Sequence, residues 1–447
     1  MKNTEVFLIF LFLFSCAKDE TVNSNISNQD DIYIDNTTSC ALKQSEIPNW
    51  QNTSYELFDI YYPQNYLNLG SLLNNQWGGE SGEYGLNVIS VDYNNDGYMD
   101  IIGSYNDYSN FIDYPSDYYG YERKQLIRFY KGNCEGNFEV DELNDSKFLG
   151  LVHGRKILLG DFNNDNYVDL FLLGHGYDKQ PFNGEFNKVL MSNGDGGFFD
   201  VDYKSFESFY HGGASGDIDN DGDLDIVAVD GGRGKSLIYK NLNGQLEPDE
   251  TLIDQTLMDQ MYNAELFDIN NDGFIDLIAG GHDWSWNQNP ECEYWECNTY
   301  DNAPVIIYGD GIDFIDNSYV RLPQTSIYKQ GIVTNFEFFD FDGNGQVEII
   351  LTRTGDNMNE TPGLPWDQTN FYKDWSVQVL EFNGQDYDDA TLKYIDVNYG
   401  EEQWIRFTKI KDIDNDGILE MYNTSNPYID QNNYLEWKII SGKLIKQ

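Results

Sequence analysis

A nine-residue acidic pattern recurs six times along this chain, and no other feature constrains its fold as strongly. The first copy runs Asp92-Tyr93-Asn94-Asn95-Asp96-Gly97-Tyr98-Met99-Asp100, and five more begin at Asp161, Asp217, Asp268, Asp340 and Asp412. Side-chain oxygens stand at positions 1, 3, 5 and 9 of every copy. They belong to Asp92, Asn94, Asp96 and Asp100, then to Asp161, Asn163, Asp165 and Asp169, then to Asp217, Asp219, Asp221 and Asp225. The later copies supply Asp268, Asn270, Asp272 and Asp276, then Asp340, Asp342, Asn344 and Glu348, and last Asp412, Asp414, Asp416 and Glu420. Position 6 is Gly in all copies but the second, where Asn166 stands, the next-best residue for a left-handed backbone.

This spacing suits a hard divalent cation. Ca²⁺ takes about 6–8 oxygens, and alternate residues of a tight loop turn their side chains to one centre. The residue at position 7 adds its carbonyl: Tyr98, Tyr167, Asp223, Phe274, Gln346 and Ile418 in turn. The acid at position 9 closes the ring. Up to six structural Ca²⁺ ions are therefore expected, bracing the fold rather than catalysing, because the protein supplies the ligands and the loops repeat in every unit.

Short apolar runs flank the loops, such as Lys156-Ile157-Leu158-Leu159 before the second and Leu170-Phe171-Leu172-Leu173 after it. These are buried-strand runs rather than helical periods, so each loop joins two strands. A further strand, a Gly/Asn turn and an aromatic follow, which marks a hairpin. Each unit thus holds four strands. The loop starts are separated by 69, 56, 51, 72 and 72 residues, which is blade spacing in a β-propeller. At this point the chain resembles the FG-GAP/VCBS repeat family, the integrin-α-like propellers, over about residues 50 to 447. The resemblance implies an all-β propeller over 48–447. It favours seven blades, with about 48–84 as a blade without a metal loop; six blades is the alternative. Glu348 and Glu420 stand where the family has Asp.

The N-terminus reads as an address. The apolar run Val6 to Phe14 is too short to span a bilayer and has the size of a signal-peptide core. It ends in Leu13-Phe14-Ser15-Cys16, which resembles a bacterial lipobox. The resemblance implies a signal peptide over 1–15, lipidation of Cys16 and a tether over 16–47. Ala17-Lys18-Asp19-Glu20 resembles the surface-export tag of Bacteroidetes lipoproteins. The expected location is the outer membrane, surface-exposed, with the lipid as the sole membrane contact. Cys292 and Cys297 are close enough to close a small loop in an oxidising compartment, while Cys40 and Cys134 pair or stay free.

The chain carries 27 Lys and Arg against 76 Asp and Glu, a formal net charge of −49. Such a chain repels phosphate backbones, which excludes nucleic acid as a partner. A ligand belongs on the face opposite the acidic loops. The long insertions between second and third strands lie there, and they carry Trp284, Trp286, Trp295 and Trp366. The four histidines, His153, His175, His211 and His282, fall just before first strands or just after second strands, so they project to the same face. Aromatic faces beside polar groups suit an extracellular glycan or protein. The expected function is a calcium-stabilised binding module. The alternative is a polysaccharide-degrading, lyase-like enzyme with a His/Tyr site on that face.

Overall fold

The computed structural model describes residues 86–447, apart from 99, 106–125, 134–136, 146, 177–183, 233, 259, 284–302, 328–329, 357–371, 404, 406–407, 412–416 and 424–434. The described strands form six antiparallel sheets, each in sequence order. These blades span 86–140, 154–200, 210–249, 261–321, 332–389 and 408–446. Blade 5 gains a fifth strand, Tyr399–Gln403, which pairs with its third. A single helical turn, Thr391–Tyr394, leads to it. The described propeller is therefore six-bladed, which corrects the expectation of seven. The stretch 48–84, from which a seventh was expected, lies outside the described residues.

The first strands are Leu86–Val91, Gly154–Gly160, Tyr210–Gly216, Met261–Phe267, Ile332–Phe339 and Thr408–Lys411. Each contacts the next in order, as strands gathered around one axis do. Apolar layers fill the wedges between successive blades. Ile157, Leu159 and Leu172 of blade 2 pack with Ile89, Ile102 and Phe129 of blade 1. Val227, Val229 and Ile238 of blade 3 pack with Met261, Leu277 and Val305 of blade 4. Alternation explains this double use: successive side chains of a strand face opposite neighbours. Strands buried on both faces read as continuous apolar runs, and Asp225–Asp230 and Asp169–Gly174 are buried at every position.

Polar groups line the axis. Lys156 of blade 2 reaches Asn263 (3.1 Å) and Glu265 (3.3 Å) of blade 4, both partners being buried. It passes blade 3, whose first strand reads Tyr-His-Gly-Gly-Ala-Ser-Gly. Bulk there is excluded: a Cβ on Gly213 would lie 2.2 Å from the Val227 carbonyl oxygen. Lys409 of blade 6 pairs with Glu337 of blade 5 at 3.1 Å. Burial and the neighbouring Glu265 charge push the Glu337 carboxyl up, and Lys409 draws it back down.

Candidate functional site

The described acidic loops join first to second strands, so they lie at one end of the axis. Their backbone uses two left-handed residues, not one. Position 6 has φ of +89° at Gly97, +95° at Gly222, +91° at Gly273 and +70° at Asn166. Position 4 is also left-handed, at Asn95 (58°), Asn164 (60°), Asn220 (54°), Asn271 (58°) and Gly343 (70°). Asn and Gly tolerate that region best, which accounts for both residue types.

Each described position-1 Asp accepts the N–H groups of positions 5 and 6. The distances are 3.1 and 2.8 Å at Asp92, 3.0 and 2.7 Å at Asp161, and 3.1 and 2.9 Å at Asp268. Asp217 and Asp340 do the same. The position-9 acid does work that its spacing did not predict: it ties the loop to the third strand. Asp169 accepts Phe162 N–H (2.9 Å) and Ser192 N–H (2.8 Å). Asp225 accepts Ile218 N–H (3.2 Å) and Asn241 N–H (2.7 Å), and Asp276 accepts Ile269 N–H (2.9 Å) and Gly309 N–H (2.8 Å). Glu348 accepts Phe341 N–H at 2.8 Å, so the longer acid keeps the bond within the loop.

The loops fit a cation in their chemistry. Carboxylate oxygens of Asp217, Asp219 and Asp221 lie within 4.8 Å of one another, and so do those of Asp342, Glu348 and Glu381. Glu381 sits on the third strand of blade 5, a donor that no loop spacing reveals. In the first loop, buried Asp100 Oδ2 has no hydrogen-bond partner among the described residues. Burial pushes the carboxyls of Asp100 and Asp169 up to about 8, that of Asp225 to about 7 and that of Asp276 to about 6. Repulsion within each loop adds to this, and a bound cation relieves such repulsion. Ammonium groups approach two loops: Lys240 pairs with Asp219, and Lys438 with Glu420 at 3.0 Å. Ile418 and Glu420 of the sixth loop are described; Asp412, Asp414 and Asp416 lie outside the described residues.

The opposite end has a different device. In four successive blades the first strand is bulged at the residue six positions before the acidic loop. The pairing slips between Gly154 and Lys156, between Tyr210 and Gly212, between Met261 and Asn263, and between Val333 and Asn335. The extra residues are Arg155, His211, Tyr262 and Thr334. A bulge breaks the alternation and re-aims a side chain. Second strands end at the same level and deliver His175 and His282, and His153 precedes the blade 2 bulge.

All four histidines join one row of rings across blades 2, 3 and 4. His153 and His175 have ring centroids 3.8 Å apart, and His175 stacks on His211 at 4.7 Å and on Phe209 at 4.1 Å. His211 lies 4.3 Å from Tyr262, whose ring meets His282 edge-on at 4.9 Å. Glu185 fixes the start of the row by accepting the N–H groups of His153 (3.0 Å) and Gly176 (3.0 Å). At the far end Asp356 of blade 5 lies 3.0 Å from His282 Nδ1, and the Tyr262 hydroxyl lies 3.2 Å from His282 Nε2. Behind them Asp283 forms a fully buried ion pair with Arg353 at 2.6 Å. Burial holds His175 and His211 well below the ordinary histidine range, and the charges of Arg155 and neighbouring histidines add to this.

The histidines are buried, whereas Tyr262 is half-buried. Of the sequence-predicted ligand residues, His153, His175, His211 and His282 are thus in one cluster. Trp284, Trp286, Trp295 and Trp366, with Cys16, Cys40, Cys134, Cys292 and Cys297, lie outside the described residues. Sequence reasoning missed Tyr262, Asp283, Arg353 and Asp356. The bulge position was the signal available: Arg155, His211 and Tyr262 each stand six residues before an acidic loop.

Six sheets with first strands around an axis, acidic loops at one end and a polar mouth at the other define a β-propeller. Its repeats are FG-GAP-like: the family model of that description matches residues 161–228 and 217–279. No curated protein sequence matches the chain. Among solved structures it is similar to an Agrocybe aegerita lectin recognising non-reducing terminal N-acetylglucosamine, at 15% identity and TM-score 0.39, over 69% of this chain and 66% of the lectin. It is similar to the V. cholerae biofilm matrix protein Bap1, at 15% identity and TM-score 0.35, over 73% of this chain and 41% of that one. An ulvan lyase of polysaccharide lyase family PL25 is similar at 14% identity and TM-score 0.38, over 82% of this chain and 81% of the lyase. The chain spans less than two thirds of the lectin and of the biofilm protein.

Proposed function

We propose that this chain is a cell-surface propeller that binds extracellular glycan at the imidazole-rich mouth, with calcium in the acidic loops and a lipid on Cys16. The observation that carries the reading is the row of His153, His175, His211, Tyr262 and His282, assembled from three blades at the end away from the acidic loops. A half-buried aromatic ring beside buried hydrogen-bonding groups suits a sugar, which offers C–H faces to stack and hydroxyls to pair. Calcium would be held by the loop carboxylates and carbonyls, where it would neutralise their charge and brace the turns. The test is a glycan array on the soluble domain, repeated with a His211→Gln, Tyr262→Phe double variant. Binding lost with an unchanged melt supports the mouth; binding retained overturns it. A second reading, a polysaccharide-degrading enzyme, is favoured by the Tyr262–His282–Asp356 contacts, which join a hydroxyl, an imidazole and a carboxylate in one line.

A further inference from the structure

We propose that Tyr262, His282 and Asp356 form a proton relay in which the Tyr262 oxygen is the reactive atom of the mouth. The relay deepens the second reading above, and its test needs no glycan, so either fails without the other.

Asp356 is 0% exposed, and as a carboxylate it only accepts hydrogen bonds. Its Oδ2 lies 3.0 Å from His282 Nδ1, so Nδ1 carries the proton. In a neutral imidazole the other nitrogen is then an acceptor. That nitrogen, Nε2, lies 3.2 Å from the Tyr262 hydroxyl, which therefore donates to it. Hydroxyl, base and orienting carboxylate stand in the order that activates a nucleophile or a proton-transfer group.

Placement supports the assignment. Tyr262 is the bulged residue of its strand, so its side chain leaves the alternation that would bury it between blades. It is half-buried, while His282 is 7% exposed behind it, so a substrate meets the phenol before the base. His282 is itself pinned at the backbone by an antiparallel bridge to Ile332 of blade 5. Asp356 is thus a positioning residue that acts through His282, across a blade boundary.

Two measurements test the relay. The first is labelling by an aryl sulfonyl fluoride with peptide mapping. The Tyr262 oxygen bonds to sulfur, fluoride leaves, and the phenolic proton passes to His282 Nε2. Tyr262 is expected to label faster than Tyr319, which is 53% exposed and serves as the unassisted reference. His282→Gln is expected to slow it about 100-fold, the low end for general-base assistance, and Asp356→Asn is expected to slow it less. The melt of each variant is recorded in parallel. Equal labelling of Tyr262 and Tyr319, or a Tyr262 rate unmoved by His282→Gln, overturns the proposal. The second measurement uses the unsubstituted protein, so it survives a variant that misfolds. With only four histidines, ¹⁵N-imidazole spectra resolve each tautomer. His282 is expected with its proton on Nδ1, and a proton on Nε2 overturns the relay.

Discussion

His175 and His211 set the pH behaviour of the mouth. Both are buried, and desolvation lowers their folded-state pKa below the ordinary value, with Arg155, His153 and His282 adding repulsion. The unfolded chain therefore binds protons that the folded chain refuses. Stability from these groups is complete above about pH 6.5 and falls as pH drops below it, by up to ~1.4 kcal/mol per pH unit for each group. The expected result is a melting temperature that declines below that pH in the native protein. A His175→Gln, His211→Gln double variant should decline less, and the opposite trend of the raised loop carboxyls, common to both proteins at one calcium concentration, cancels in the comparison. His153, His175 and His282 were legible in the sequence because each abuts a strand end; His211, expected just before its strand, lies inside it at the bulge. Tyr262 and Asp356 were not, because their relation depends on contacts such as His282–Asp356, 74 residues apart, and because the recurring position six residues before each loop shows itself as a bulge only in the strand pairing.

The acidic loop is the element that the sequence described most fully. Its geometry is local, so residue spacing carries it: alternate oxygens, a left-handed position 6 and flanking strands. What the spacing could not carry was the tie from position 9 to the third strand, or Glu381 at the fifth loop, because both cross a hairpin of variable length. The tie yields a prediction. Asp225→Ala leaves the Ile218 and Asn241 N–H groups without their carboxylate, and a buried donor left unsatisfied costs about 1–3 kcal/mol. The loss should be seen in chemical denaturation with or without Ca²⁺. Asp219→Ala should instead lower stability chiefly when Ca²⁺ is present, since Asp219 makes neither tie. Chelation by EDTA should lower the melting temperature and Ca²⁺ restore it, because an ion bound only by the folded state stabilises it by mass action. An unchanged melt after verified metal removal would remove calcium from the account.

The whole molecule is joined across blades as well as along them. Lys156 and Glu265 are both buried and 109 residues apart. Lys156→Met strands the Glu265 charge and should cost about 3–5 kcal/mol in equilibrium unfolding, whereas adding Glu265→Met should recover most of that loss. The blade number was the part of the architecture that loop counting read correctly and family resemblance read one too high. At the N-terminus, Cys16→Ala should release the protein from the membrane fraction; retention there would refute the lipid anchor. The placement of the bulges has a consequence for how such a chain can diverge. An acidic loop is contained within one blade, so copying or deleting a repeat carries a loop along intact. The mouth is shared, with Arg155, His211, Tyr262 and Asp356 drawn from four consecutive blades. A repeat inserted or lost between blades 2 and 5 would separate His211 from Tyr262, or His282 from Asp356, while every loop stayed sound. Repeat number in relatives is thus free to drift only outside that run, and a relative with an altered run has lost this mouth whatever its loops retain.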